Sequence, residues 1–151
     1  MKIILLVIIA VLVFLSLGLW LIAYGNTISE ERNMNYGVSM TTDKISYSIG
    51  EPIKMTLKIL NYTEEDIVFH FNTSQRYDFI TEDEEGNEIW RWSKDRMFAM
   101  VLGEEILGPT NTEVNYSAEY KSKLSPGYYK VTGILVAQNR PMLGSIIIEV
   151  K

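Results

Sequence analysis

Pro52-Ile53-Lys54-Met55-Thr56-Leu57-Lys58-Ile59-Leu60 alternates apolar and polar residues with a period of two. Successive side chains of an extended chain point to opposite faces. Ile53, Met55, Leu57 and Ile59 therefore share one face, and Lys54, Thr56 and Lys58 the other. The stretch predicts a β-strand with one side in a core and one in water. Working outward, short runs of this kind recur over residues 37–42, 67–71, 76–81, 88–92, 97–101, 112–120, 128–137 and 145–150. Between them lie Ile49-Gly50-Glu51-Pro52, Asn61-Tyr62-Thr63, Glu85-Gly86-Asn87, Gly108-Pro109 and Ser125-Pro126-Gly127. Proline fixes φ, glycine and asparagine accept positive φ, and short polar side chains bond the local backbone, so these are turns. Nine short strands with no amphipathic helix between them predict an all-β sandwich or barrel.

Two further strands carry detail. In Tyr128–Ile134, Tyr129, Val131 and Gly133 oppose Tyr128, Lys130, Thr132 and Ile134. Ile146-Ile147-Ile148 is a continuous apolar run, which predicts a buried closing strand that would be an aggregation hazard at an edge.

The most distinctive part is Gln75-Arg76-Tyr77-Asp78-Phe79, followed across an acidic, glycine-containing turn by Ile89-Trp90-Arg91-Trp92-Ser93. A hairpin pairing Phe79 with Trp90 would stack Tyr77, Phe79, Trp90 and Trp92 on one face and set Asp78 against Arg91 on the other. A three-residue turn with glycine as its bulge would slip that register by one and undo the match; the first register is preferred. The rings serve either as core or as projecting anchors, since Trp and Arg are favoured at binding hot spots. Candidate binding residues are Arg76, Trp90, Arg91, Trp92, Lys94, Arg96 and Phe98, with Lys94 and Arg96 on the loop Ser93–Met97.

Other chemistry is sparse. The acidic run Glu82–Glu88 has Thr81 where an EF-hand needs its first ligand and lacks flanking helices, so it reads as a solvated turn. His70 is the single histidine, between Phe69 and Phe71, and reads as an ordinary strand residue. A zinc site would need several His or Cys ligands, and the chain has no cysteine. No glycine-rich phosphate loop or Gly-x-Ser-x-Gly elbow occurs, so the expectation is neither an enzyme nor a cofactor or metal binder. Asn61-Tyr62-Thr63, Asn72-Thr73-Ser74 and Asn115-Tyr116-Ser117 match the short N-glycosylation sequon.

Residues 3–23, IILLVIIAVLVFLSLGLWLIA, carry no charge. As a helix they would span roughly 31 Å, matching a hydrocarbon core of about 30 Å. Residues 1–24 are therefore expected to be a single transmembrane anchor, with 25–36 a polar linker and 37–151 the β domain. The alternative is a cleaved signal peptide, for which Ala23-Tyr24-Gly25 supplies small residues and after which the domain would be secreted. Lys2 before the segment and Glu30 and Glu31 after it place the N-terminus in the cytoplasm and the domain outside the cell membrane. The 151 residues hold 14 Lys and Arg against 19 Asp and Glu, a net charge of −5. Such a balance argues against nucleic-acid binding, which depends on cations neutralising phosphates.

The segments Ser74–Phe79, Gly86 with Glu88, Trp90–Ser93, Met97-Phe98, Gly103-Glu104-Glu105 and Leu124–Val131, with Leu57–Thr63 upstream, resemble the BsuPI-type intracellular proteinase inhibitor family. The resemblance covers about residues 37–150. It implies an immunoglobulin-like antiparallel β-sandwich and, from the founding member, inhibition of a serine proteinase. Two functions follow as expectations. One is a membrane-anchored, extracytoplasmic inhibitor whose partner is a serine proteinase. The other is a non-inhibitory adhesion or envelope-assembly module.

Overall fold

The computed structural model describes residues 35–151. The anchor and most of the linker expected at residues 1–36 lie outside the described residues. Among those described there are ten strands and no helix, and hence none long and apolar enough to cross a membrane. The strands are β1 (Tyr36–Thr42), β2 (Ser46–Tyr47), β3 (Pro52–Asn61), β4 (Ile67–Phe71), β5 (Tyr77–Glu82), β6 (Glu88–Arg91), β7 (Gly103–Leu107), β8 (Thr112–Lys121), β9 (Gly127–Leu135) and β10 (Met142–Val150).

The alternation in β3 makes it the centre of one sheet, β1-β3-β8, antiparallel throughout. Ile53, Met55, Leu57 and Ile59 are fully buried, and the intervening residues meet solvent in part. Facing it is the sheet β2-β10-β9-β5-β6, which contributes Phe79, Val131, Leu135, Ile148 and Val150 to the same core. The two-stranded sheet β4-β7 adds Ile67, Phe69, Phe71 and Leu107. Two sheets thus bury their apolar faces against each other, the arrangement of a sandwich.

The sheets approach closely at Gly133. A Cβ there would lie 3.0 Å from the Leu57 Cβ, 3.0 Å from the Met40 sulfur and 3.1 Å from the Phe79 ring. One side is closed by rings reaching between sheets: Trp90 stacks on Tyr120 at 4.5 Å, and Tyr77 meets Tyr116 at 5.1 Å.

Three expectations are corrected. The run 97–101, apolar at every position, is no strand, because no neighbouring strand pairs with it. The strand is instead β7, which pairs with β4 through Gly103↔Phe71 to Leu107↔Ile67. Its glutamates hid it: Glu104 meets His70 Nδ1 at 3.0 Å, and Glu105 meets Arg76. Second, Ile146–Ile148 is not uniformly buried. Ile148 is in the core, whereas Ile147 faces solvent on a strand covered on one side only by the two-residue β2.

Third, the hairpin register moves. The turn is the three-residue form: the Gly86 amide donates to the Asp83 carbonyl at 3.1 Å, the Asp83 amide to the Asn87 carbonyl at 3.0 Å, and Gly86 has φ 84°. That alone would invert the faces of β6. An irregularity at Thr81/Glu82 then adds a second step, leaving Ile89 without a direct partner, so that Thr81 opposes Trp90 and Ile80 opposes Arg91. Phe79 consequently lies across from Trp92, whose amide donates to its carbonyl at 2.9 Å, and Trp90 turns to Tyr120.

Thr81 is fully buried, and its hydroxyl has no hydrogen-bond partner. An uncompensated buried hydroxyl opposes folding. Thr81→Val is therefore expected to stabilise the domain by about 1 kcal/mol. A rise in the midpoint of denaturant unfolding checks this; a lower midpoint would mean that the hydroxyl is satisfied.

Candidate functional site

The hairpin β5-β6 leads into a connection, residues 92–102, that the sheets support at its base and leave open at its tip. Asp78 holds the base. Its nearly buried carboxylate accepts from Arg91 Nη1 at 3.1 Å, the Ser93 amide at 3.1 Å, the Ser93 hydroxyl at 2.6 Å and the Phe79 amide at 2.9 Å. Arg91 also donates to Glu88, from Nε at 2.9 Å and Nη2 at 2.6 Å. The guanidinium holds the Glu88 carboxyl below its usual range, and Glu88 in turn raises the arginine.

Next to it, aromatic rings form a continuous row. Tyr77 packs at 4.5 Å on Trp92, and Trp92 at 5.9 Å on Phe98. Arg96 lies 4.2 Å above the Trp92 ring, and its Nε donates to the Trp92 carbonyl at 3.0 Å. A cation over an indole gains from the ring quadrupole, so this arginine is held along the loop rather than projecting from it. The chain first turns, with the Lys94 amide donating to Arg91 and the Arg96 amide to Ser93. Lys94 is exposed within that turn.

Farther on, the loop is fastened to the connection between β4 and β5. The Ser74 amide donates to the Ala99 carbonyl at 2.9 Å, and the Ala99 amide to the Ser74 hydroxyl at 3.0 Å. The Val101 amide closes back on the Ala99 carbonyl at 2.9 Å. Around this fastening, Met97 is 100% exposed, Met100 85% and Leu102 80%. Soluble surfaces normally scatter large apolar residues singly, so this group is a candidate interaction site.

Arg76 belongs to the support. Its Nε donates to Glu105 at 2.9 Å, its Nη1 to the Thr73 carbonyl at 2.8 Å, and its guanidinium stacks 4.4 Å above Phe71. Glu105 also accepts from the Tyr116 hydroxyl at 2.5 Å. Burial, and then this carboxylate, push the Tyr116 hydroxyl well above its ordinary pKa.

Of the residues singled out in sequence, Trp92, Lys94, Arg96 and Phe98 thus gather on or against one loop, and Arg91 anchors its base. Trp90 stacks on Tyr120, and Arg76 braces the neighbouring β4-β7 pair. Sequence reasoning missed Met97, Met100, Val101 and Leu102 as projecting groups. The signal is present: no charge falls between Arg96 and Glu104, in a continuous apolar run that resembles a buried strand. The acidic turn uses Asp83 for itself, its carboxylate accepting from the amides of Glu85 and Asn87 and from Asn87 Nδ2. Among the described residues no cluster of three or more His, Asp or Glu is placed to hold a metal.

Fold and site together define an all-β sandwich domain that presents one fastened, apolar loop. The family model for the intracellular proteinase inhibitor BsuPI matches residues 40–140. The chain belongs to that family. No curated protein matches it. Several solved structures superpose in outline. They include a CARDB domain from Pyrococcus furiosus, at 10% identity over 77% of this chain and 87% of that one, with TM-score 0.46. The C-terminal domain of wzt aligns at 12% identity over 78% and 74%, with TM-score 0.48. The sporulation control protein Spo0M of Bacillus subtilis aligns at 16% identity over 78% and 49%, with TM-score 0.47. These identities are too low to speak of function.

Proposed function

We propose that the chain is a proteinase inhibitor built on an immunoglobulin-like sandwich. It is tethered to the cell membrane by residues 3–23, with the domain on the extracytoplasmic side. The observation that carries the inhibitory part is the loop 92–102, fastened at Ala99 and exposing Met97, Met100 and Leu102. A loop already ordered in the free protein loses little freedom on binding, which favours tight association. It also resists being drawn into the geometry that cleavage requires. Family membership supplies the class of partner, a proteinase. The uncharged span and the charges flanking it support the tether and its orientation. On this reading the domain binds and does not catalyse.

The test is titration of the full chain, dispersed in mild detergent, against a panel of serine proteinases, with the integrity of the domain followed in parallel. Saturable inhibition by an intact domain is expected. Rapid cleavage, or no inhibition across the panel, would refute the reading. A second reading is favoured by Leu143 and Ile147, which are exposed on the outer face of β10. It is an assembly module that docks another envelope protein through this sheet. Co-purification of a stable partner that Ile147→Lys releases, without effect on any proteinase, would establish it.

A further inference from the structure

The inhibitor reading leaves open which side chain enters the enzyme and which enzymes it suits. We propose that Met100 is the residue that fills the primary specificity pocket, and that the target is a serine proteinase whose pocket takes large apolar side chains. The inference rests on the inhibitor reading and narrows it.

Serine proteinases set their preference largely by one pocket. A carboxylate at its base selects Lys or Arg, whereas an apolar slot selects large hydrophobic residues. This loop carries two cations, Lys94 and Arg96, that would suit the first kind. Their geometry argues against them. Arg96 is committed to the face and carbonyl of Trp92, at 4.2 and 3.0 Å. Lys94 sits inside the consecutive turns that close through Arg91 and Ser93, so its backbone is coiled where a cleft needs an exposed, projecting segment.

Met100 has the opposite setting. The Val101 amide bonds the Ala99 carbonyl, two residues back, so Met100 is the central residue of a γ-turn. Positive φ outside glycine is confined to Thr110 and Asn111 among the described residues, so the turn is the relaxed inverse form. Its apex points the methionine into solvent, and the Ser74 clasp holds the residue immediately before it from both backbone sides. Ser74 is itself fixed nearby, because Arg76 binds the Thr73 carbonyl and the Gln75 amide donates to the Thr73 hydroxyl. On the other flank, Gly103 begins a strand paired to β4. Val101 and Leu102 extend the exposed apolar surface, and no charge intervenes before Glu104. An unbranched thioether adapts its shape to an apolar slot without a hydrogen-bond demand of its own.

The experiment measures inhibition constants of the full chain against chymotrypsin and subtilisin, whose pockets are apolar, and against trypsin, whose pocket ends in a carboxylate. The unmodified chain should inhibit one or both of the first pair at least a hundredfold better than trypsin. Met100→Lys should reverse the preference, losing at least a hundredfold on the former and gaining on trypsin. Because the side chain is almost wholly exposed, its circular dichroism and thermal midpoint should match the parent. Inhibition that survives Met100→Lys unchanged, or trypsin inhibition lost with Lys94→Ala, would overturn the assignment while leaving the inhibitor reading in place. No inhibition of any of the three by either form would overturn both.

Discussion

Asn61→Asp is expected to remove about 4 kcal/mol at neutral pH from a domain whose total stability is about 5–15 kcal/mol. Asn61 ends β3 and is fully buried. Its Nδ2 donates to the carbonyls of Glu65 at 2.7 Å, Leu107 at 3.2 Å and Gly108 at 2.8 Å. Its Oδ1 accepts from the Thr63 amide at 2.9 Å and the Thr63 hydroxyl at 2.8 Å. One amide thus satisfies the turn after β3 and the end of β7 together. A carboxylate would keep the bonds from Thr63 but face three carbonyl oxygens with a negative charge.

The new group escapes by holding its proton, so its folded pKa rises above the roughly 3.9 of an unfolded aspartate. Between the two values the folded state binds more protons than the unfolded. Stability therefore falls as pH climbs from about 4, and levels off above the folded pKa. Urea unfolding at about pH 4.5 and about pH 8 should show a wider gap to the parent at the higher pH. An equal gap at both would mean that the charge finds solvent there. The same burial removes Asn61 from its sequon, whereas Asn72 and Asn115 remain exposed.

Asp78→Ala should cost about 3 kcal/mol, from two donors on Ser93 left without an acceptor and an arginine stripped of one partner. The carboxylate lies between the hairpin and the first turn of the loop, so its loss loosens the loop's base as well. Inhibition should weaken more than tenfold even at temperatures where the variant remains folded. Asp78→Asn, which keeps the shape and one acceptor oxygen, should fall between. Reduced stability with an unchanged inhibition constant would confine Asp78 to holding the hairpin.

The sheets were largely legible from period-two alternation. Ile53 to Ile59 could face only one way without burying Lys54 and Lys58. What escaped was whatever depended on partners distant in sequence. β7 shows no apolar alternation because its glutamates are answered by His70, Arg76 and Tyr116. Residues 97–101 are apolar throughout, as a buried strand is, yet no neighbouring edge receives them. Asn61 displays a sequon where its buried amide ties the turn after β3 to the end of β7. For the candidate site, the aromatic and basic residues could be located by type. Only the folded structure shows that Arg96 is occupied by Trp92 and that the methionines are the free ends.

The hairpin β5-β6 carries a further consequence through its glycine turn and its irregularity at Thr81/Glu82. Each is an odd step, and only their sum keeps Trp90 and Trp92 inward and Arg91 beside Asp78. Losing one residue from either place would exchange the two faces of the strand. Length change here is therefore tolerable only in pairs, one deletion matched by another across the same turn. A chain of this kind drifting by single insertions meets a barrier at this hairpin that the open loop beyond it does not impose.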